Sequence, residues 1–190
     1  VQVVMPARQL MQAVQAHRGV SQAVIGGNTG QAGRLGELRG QVDAALKAGD
    51  AINTQLGDSL GSAAEWQAIR GGWDAVQSRA VTVSGPESFR MHSEYIALVR
   101  DFIASVADKT NATLDPELET YYLMDIFSTR LPALAEDAGR ARAMGSGQAT
   151  RQKLTEAERV EMSVLVRRMA DGRSAVEAAV RKAGSFDAGL

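Results

Sequence analysis

The sequence predicts an all-α protein, an elongated up-and-down antiparallel helical bundle of about six helices with a four-helix-bundle-like core. Three observations carry this prediction. Only four of the 190 residues are proline, apolar residues recur at spacings of three and four, and the alternating patterns typical of strands are rare. Short connections between the periodic segments favour antiparallel neighbours. We therefore expect residues 1–190 to form a single helical domain.

The first two helices are marked by apolar stripes and by glycine-rich ends. The first stripe runs from Leu10 to Val24, and we expect its helix to end near the Gly-Gly-Asn sequence at 26–28. The second stripe runs from Leu35 to Leu56. Each glycine inside this second helix should weaken it by about 1 kcal/mol relative to alanine. These glycines are Gly36, Gly40 and Gly49.

Capping boxes predict the starts of three further helices, because a hydroxyl residue is followed three positions later by glutamate. The pairs are Ser62 with Glu65, Ser84 with Glu87, and Thr155 with Glu158. The third helix carries Trp66 and Trp73, and the fourth extends its apolar stripe from His92 to Val106. The stripe predicted for the last helix contains Met162, Leu165, Met169, Val176 and Val180.

The fifth helix is predicted to begin at Asp115-Pro116, a capping residue followed by proline at the first helical position. Pro132 lies inside the same periodic segment and should kink the helix or end its first part, because proline lacks an amide hydrogen. Small residues follow at Ala138, Ala141 and Gly145. We expect them on a packing seam along which helices can shift with little repacking.

Composition excludes several classes of function. The chain has no cysteine, so disulfides, thiolate metal sites and cysteine nucleophiles are absent. A net charge of −1 and an aromatic content of 5% give no reason to expect a nucleic-acid partner. Two histidines, with no phosphate-loop, dinucleotide-loop or nucleophile-elbow motif, predict no catalytic residue, no metal ligand and no cofactor. No apolar run is long enough to span a membrane.

Polar residues on apolar stripes are the first candidates for a site. His17 and Ser21 lie on the seam of the first helix, Arg18 and Asn28 lie nearby, and His92 begins the seam of the fourth helix. Buried polar groups need partners. One interpretation is an internal hydrogen-bond network that fixes helix register. The other is a small-molecule pocket between helices.

The segment from 115 to 144 is the second source of candidates. Its unusual residues are Tyr121, Tyr122, Asp125, Arg130, Arg140 and Arg142. Arginine holds a carboxylate with two parallel hydrogen bonds, so Arg18, Arg130, Arg140 or Arg142 is a candidate anchor for an anion. The alternative is that each is solvated or ion-paired on the surface. If Arg18 and Arg140 share a cavity, an organic anion is the expected ligand.

Three stretches carry a family resemblance. Residues 15–28 contain QAHRGVS and IGGN, residues 107–125 contain ADKT and LDPELETYYLMD, and residues 130–145 contain RLPAL and GRARAMG. Together they resemble the extracytoplasmic helical sensor region of bacterial methyl-accepting chemotaxis proteins. Related regions occur in transmembrane sensor histidine kinases and diguanylate cyclases, and these motifs do not separate the three receptor classes.

The resemblance implies a periplasmic, ligand-sensing domain of an inner-membrane receptor, with a methyl-accepting chemotaxis protein as the favoured receptor class, and not an enzyme. It implies a small-molecule ligand or a periplasmic binding protein as partner, a homodimer in the full receptor, and membrane contact only through flanking helices. Ligand would displace the first helix relative to the last. Such regions often extend further, so residues 1–190 are expected to be a truncated piece. A cytoplasmic helical scaffold or adaptor is the alternative from a different class.

Overall fold

Helices account for nearly all of residues 4–110 and 118–186, the part of the chain that the computed structural model describes. The elements in order are α1 (Val4–Ile25), a 3-10 turn (Thr29–Gln31), α2 (Ala32–Leu56), α3 (Ala63–Arg79), α4 (Gly85–Lys109), α5 (Leu118–Asp125), a π-turn (Ile126–Arg130), α6 (Leu131–Arg151) and α7 (Glu156–Gly184). Because α5, the π-turn and α6 are continuous, the described residues form six helical rods and no strand. The predicted all-α bundle is confirmed.

Helix α1 is the central element, packing against α2, α4 and α6. Its apolar positions, including Leu10 and Val14, meet Trp66 and Trp73 of α3 and Ile96 of α4 in one core cluster, to which α2 also contributes. Both tryptophans are 1% exposed, and side chains of this size contribute most to core burial. The four-helix core therefore consists of α1, α2, α3 and α4.

Helix α6 packs on the outside of this core, against α1, and α7 packs against α6 and α5. The buried small residues of α6 are Gly139, Ala143 and Gly147. The predicted seam of Ala138, Ala141 and Gly145 is wrong, since Ala138 is exposed and the other two are half-buried. The physical reason is that the face of α6 that packs on α1 is the one carrying Glu136, Gly139, Ala143 and Gly147. Positions on either side of this face point away from α1.

The start of α7 confirms the capping box at Thr155. The amide of Glu158 donates to Thr155 Oγ1 at 3.2 Å, and the amide of Thr155 donates to Glu158 Oε2 at 2.9 Å. Two amides that the first turn leaves without helical partners are thereby satisfied.

The other two capping boxes are incomplete or wrong. Ser84 Oγ accepts from the amide of Glu87 at 3.4 Å, but the carboxylate of Glu87 binds Arg90 instead of returning to the cap. Ser62 precedes α3 without making a side-chain cap hydrogen bond. Its intended partner Glu65 accepts from Ser105 and Lys109 of α4, because these tertiary donors lie within reach.

Next to Pro132, where a kink or an end of the first helical part is predicted, the rod continues but changes helix type. A π-turn occupies Ile126–Arg130, immediately before the segment Leu131-Pro132 that opens α6. Arg130 Nε donates to Asp125 Oδ2 at 2.5 Å, a pair five residues apart that matches the i to i+5 repeat of the turn. The predicted start at Asp115-Pro116 lies outside the described residues.

Helix α7 buries little of its surface. Its buried residues are Leu165, Ala179 and Ala183. Val180 was predicted on the buried stripe, but it is 51% exposed, because the neighbouring Ala179 faces the bundle instead. None of the helices in residues 4–110 and 118–186 is sufficiently long and apolar to cross a membrane.

The first prediction concerns Gly49, one of the glycines expected to weaken α2. A Cβ at this position would lie 2.0 Å from Trp66 Cζ2, so the side chain of the buried tryptophan would have to move. We expect Gly49→Ala to lower the free energy of unfolding by about 1–3 kcal/mol through overpacking, despite the better helix propensity of alanine. Urea denaturation followed by circular dichroism measures the change.

Gly40→Ala is the matched control, because nothing lies within 4 Å of a Cβ built there. It should raise stability by up to about 1 kcal/mol. Equal effects of the two substitutions would contradict the packing of Trp66 against α2.

Candidate functional site

Two histidines meet in the core and join α1 to α4. His17 Nδ1 lies 2.9 Å from His92 Nε2, and both side chains are fully buried. His92 Nδ1 lies 2.7 Å from the carbonyl of Ser88. Because a carbonyl can only accept, His92 carries its hydrogen on Nδ1, and His17 Nδ1 must donate to His92 Nε2. Ser21 Oγ lies 3.5 Å from His17 Nδ1, at the limit of a hydrogen bond.

The histidine pair is uncharged at neutral pH. Burial lowers the pKa of His17 to about 3, with further lowering by His92 and Arg39. Burial also lowers the pKa of His92 to about 4; the bond to Ser88 opposes this effect and Arg18 adds to it. Tautomers fixed in this way favour the interpretation of His17, Ser21 and His92 as a register-setting network.

The charged member of the network is Arg18, whose side chain is 0% exposed. Arg18 Nη1 donates to Glu136 Oε1 at 2.7 Å, and Nη2 donates to Glu136 Oε2 at 3.2 Å. Gln15 adds a bond to the same carboxylate at 2.9 Å, and Ser93 of α4 accepts from Arg18 at 2.8 Å. Gly139 leaves the necessary space, since a Cβ there would lie 3.1 Å from Arg18 Nη2. One arginine thus ties α1 to both α4 and α6.

Arg18 and Arg140 do not share an open pocket. The organic anion expected if they shared a cavity is therefore not supported at this place. Their guanidinium carbons lie 5.0 and 5.8 Å from the centre of the Phe89 ring. Arg18 is ion-paired with Glu136, and Arg140 Nη2 donates to Glu161 at 2.9 Å. Each guanidinium therefore already has a carboxylate partner inside the protein.

A separate, open cationic cleft lies between α1, the 3-10 turn, α2 and α6. We call it the Arg34–Arg142 cleft. Its volume is about 400 Å³, and it is lined by Ala16, Gly19, Val20, Ala23, Asn28, Gln31, Arg34, Arg142, Ser146 and Thr150. No carboxylate belongs to this lining. Both arginines are exposed, and neither has an ion-pair partner in the described parts of the chain.

The end of α1 places Asn28 at the mouth of this cleft. Gly27 adopts a φ of 113°, which a side chain would strain, and the amide of Asn28 returns to the carbonyl of Ala23. Gly26 brings α1 close to α6, since its Cβ would lie 3.2 Å from Thr150 Cβ. This fold of the turn confirms the helix end predicted at residues 26–28.

The hydroxyls of the cleft already have acceptors. Ser146 Oγ donates to the carbonyl of Arg142, and Thr150 Oγ1 donates to the carbonyl of Ser146, both at 2.9 Å. The donors that remain for a ligand include the two guanidinium groups and the side-chain amides of Asn28 and Gln31. The cleft is therefore suited to a small anion with several acceptor oxygens.

The structure separates the remaining candidates from this cleft. Tyr121 is 40% exposed on α5, and Tyr122 stacks on Phe186 with ring centres 6.3 Å apart. Asp125 and Arg130 bind each other at the π-turn. Of the arginines singled out from the sequence, Arg142 lines the cleft.

Arg34 is the residue that sequence reasoning missed. It lies in the first turn of α2, a short distance after the Gly-Gly-Asn sequence that places Asn28. The signal available was a basic residue close behind a glycine turn. The sequence did not show that α6 packs beside the start of α2 and places Arg142 in the same cleft as Arg34.

The described residues define a class, an all-α bundle whose open cleft is lined by two exposed arginines. The chain belongs to the nitrate and nitrite sensing family, whose model matches residues 9–187. This is a family of extracytoplasmic sensor domains found in bacterial signalling proteins, including histidine kinases and chemotaxis receptors. The resemblance to a bacterial extracytoplasmic sensor region is thereby confirmed.

No curated protein and no solved structure matches the chain significantly. Within residues 4–110 and 118–186, no group of three or more His, Asp or Glu side chains is placed to hold a metal ion.

The second prediction tests the Arg18–Glu136 pair. Glu136→Gln keeps the shape of the side chain but leaves a buried guanidinium without its counter-charge. We expect the free energy of unfolding to fall by about 3–5 kcal/mol. Glu161→Gln, which breaks the half-exposed pair with Arg140, should cost less than about 1 kcal/mol. Similar urea midpoints for both variants would contradict the assigned burial.

The third prediction concerns acid. The folded pKa values of His17 and His92 lie below the unfolded value of 6.5, so between these limits the unfolded chain binds more protons than the folded chain. Stability is full above pH 6.5 and falls as the pH is lowered toward 4. Between pH 7.5 and pH 5 we expect a loss of about 2 kcal/mol for each histidine.

Urea denaturation at several pH values measures this dependence. His92→Asn keeps a donor near Ser88 but removes one titrating ring, and it should remove about half of the slope. A stability that stays constant from pH 7.5 to pH 5 would show that the two imidazoles are not buried as a neutral pair.

Proposed function

We propose that this domain senses nitrate or nitrite in the Arg34–Arg142 cleft on behalf of a transmembrane chemotaxis receptor. The single observation that carries the site is the pair of exposed guanidinium groups facing one carboxylate-free cleft. Family membership supports the anion, since the matched family is described by nitrate and nitrite sensing. Together the two observations support a small oxyanion as the ligand and the Arg34–Arg142 cleft as its site.

The chemistry of the anion fits these donors. Nitrate is a planar oxyanion of single charge, and the fork of a guanidinium group presents parallel N–H donors to two oxygens of such a group. Arg34 and Arg142 contribute from different helices, and Asn28 adds an amide donor from the connecting turn. Partial removal from water strengthens each charge-assisted bond.

The mechanism follows from which helices hold the donors. Arg34 lies on α2 and Arg142 on α6, so a shared anion draws these helices together across α1. This favours one packing of the bundle over another, and couplings between a ligand site and an output typically amount to about 1–3 kcal/mol. The displacement of the helices would pass to flanking membrane segments in the full receptor.

The receptor class and the cellular setting belong to the same proposal. The family occurs in histidine kinases as well as chemotaxis receptors, so a histidine kinase is the second candidate, and a diguanylate cyclase is the third. The domain would lie in the periplasm. A larger organic anion also fits a cleft of about 400 Å³, and a ligand-loaded periplasmic binding protein is the alternative partner.

The fourth prediction is nitrate binding that depends on the cleft arginines. Isothermal titration of the 190-residue chain with sodium nitrate, sodium nitrite and sodium chloride should show binding of the first two and little of the third. Arg142→Gln and Arg34→Gln should each raise the nitrate Kd by about 10- to 100-fold, since a hydrogen bond to a charged group contributes about 1.5–3 kcal/mol.

Arg173→Gln is the matched control, because Arg173 lies on the exposed side of α7 and pairs with Glu177 on the same helix. It should leave the nitrate Kd unchanged. Binding that survives both cleft substitutions but is lost in Arg140→Gln would move the site to the Phe89 region. A chain that binds neither anion would overturn the proposed function itself.

A further inference from the structure

Helix α1 contributes only apolar residues to the Arg34–Arg142 cleft. These residues, which we call the floor, are Ala16, Gly19, Val20 and Ala23, and their spacing of three, one and three places them on one face of the helix. None of their side chains donates or accepts a hydrogen bond. An anion held by the two arginines therefore has apolar protein surface beside it.

Gly19 is the unusual member of the floor. Glycine inside a helix is less favourable than alanine, so a buried glycine there usually makes room for a neighbouring group. The other buried glycines of the described residues do so, because a Cβ on each would lie within 4 Å of another residue. They are Gly49, Gly57, Gly139 and Gly147. Nothing lies within 4 Å of a Cβ built on Gly19, so its missing side chain adds space to the cleft.

This space is larger than a nitrate ion needs. The cleft has a volume of about 400 Å³, whereas a water molecule takes about 30 Å³ in the liquid, so nitrate leaves most of the cleft unfilled. Covering apolar surface is favourable. An anion with an apolar part that lies on the floor therefore gains a contact that nitrate does not make.

We propose that Gly19 determines which anions the cleft accepts. Its missing side chain leaves room on the floor for the apolar body of a carboxylate such as benzoate, while the carboxylate group binds Arg34 and Arg142. A side chain at position 19 would fill this room and leave the arginines to small anions. The inference rests on the proposed anion site, to which it adds a second class of ligand and the residue that selects between the classes.

The charged groups next to the cleft do not account for such a selection. Glu37, one helical turn after Arg34, lines the adjoining groove between α1 and α2, and Arg8 lines the groove that Arg142 borders on the other side. Both residues lie outside the lining of the cleft. Nitrate, acetate and benzoate carry the same single charge, so these groups act on them alike, and the size of the floor distinguishes them.

Isothermal titration of the full 190-residue chain with sodium benzoate, sodium acetate and sodium nitrate tests the proposal. Acetate has the carboxylate without the ring. Contact of the ring with the floor should therefore make the benzoate Kd at least about tenfold lower than the acetate Kd. Excess nitrate should displace benzoate, because both anions use the same arginines.

Substitutions at position 19 test the role of the glycine. Gly19→Leu should raise the benzoate Kd by about tenfold or more and change the acetate and nitrate Kd values by less than about threefold. Gly19→Ala should have a smaller effect in the same direction. Gly71→Leu and Gly71→Ala, at an exposed glycine of α3 with nothing within 4 Å of its Cβ, are the matched controls and should leave all three Kd values unchanged.

A measurement without ligand checks the geometry of position 19. Because its Cβ meets no atom, Gly19→Ala should raise the urea midpoint as Gly71→Ala does, and circular dichroism shows whether the leucine variants remain helical. A lower midpoint for Gly19→Ala would contradict the open space at this position.

The outcomes separate this inference from the proposed function. Benzoate that binds no more tightly than acetate, or a preference for benzoate that survives Gly19→Leu, would overturn the inference and leave nitrate sensing standing. Equal weakening of benzoate and nitrate by Gly19→Leu would also overturn it. A chain that binds benzoate in a Gly19-dependent manner but does not bind nitrate or nitrite would support the inference and overturn nitrate and nitrite sensing.

Discussion

The buried guanidinium of Arg18 is the constraint on which the arrangement of the helices depends. A charge at this depth costs several kcal/mol unless it is paired and hydrogen-bonded, so α6 must present Glu136 at that point of α1. This contact sets the rotation of α6, which explains why Gly139 faces Arg18 and why Ala143 and Gly147 follow on the buried side. The same rotation leaves Arg142 on the open side, at the cleft.

A second directional contact fixes α1 against α4. The two imidazoles and the carbonyl of Ser88 form a hydrogen-bonded chain. Because the carbonyl can only accept, it fixes which ring nitrogen of each histidine carries the hydrogen. Arg18 adds a bond to Ser93 of α4. Apolar packing alone tolerates small rotations of a helix, whereas these bonds do not, because a misplaced buried polar group loses its partner. The polar stripe of α1 therefore specifies one register.

The helices were predictable from the sequence because their signals are local: the spacing of apolar residues, the glycines at helix ends and the prolines. The end of α1 before the turn at Gly27 and the π-turn before Pro132 are examples. Residues whose partners lie far along the chain were not predictable: Glu65 leaves its cap for Lys109 of α4, and Glu136 was not singled out although it decides the environment of Arg18. The cleft could not be predicted for the same reason, since Arg34 and Arg142 lie far apart in the sequence and are brought together by tertiary packing.

These contacts also decide which helix can move. Hydrogen bonds and an ion pair join α1 to α4 and α6, whereas no side-chain hydrogen bond or ion pair joins α1 to α2 within the described residues. Breaking the Arg18 pair costs about 3–5 kcal/mol, more than the 1–3 kcal/mol typical of a coupling between sites. An anion held by Arg34 and Arg142 would therefore shift α2 over the apolar surface of α1, while α1, α4 and α6 move as one unit.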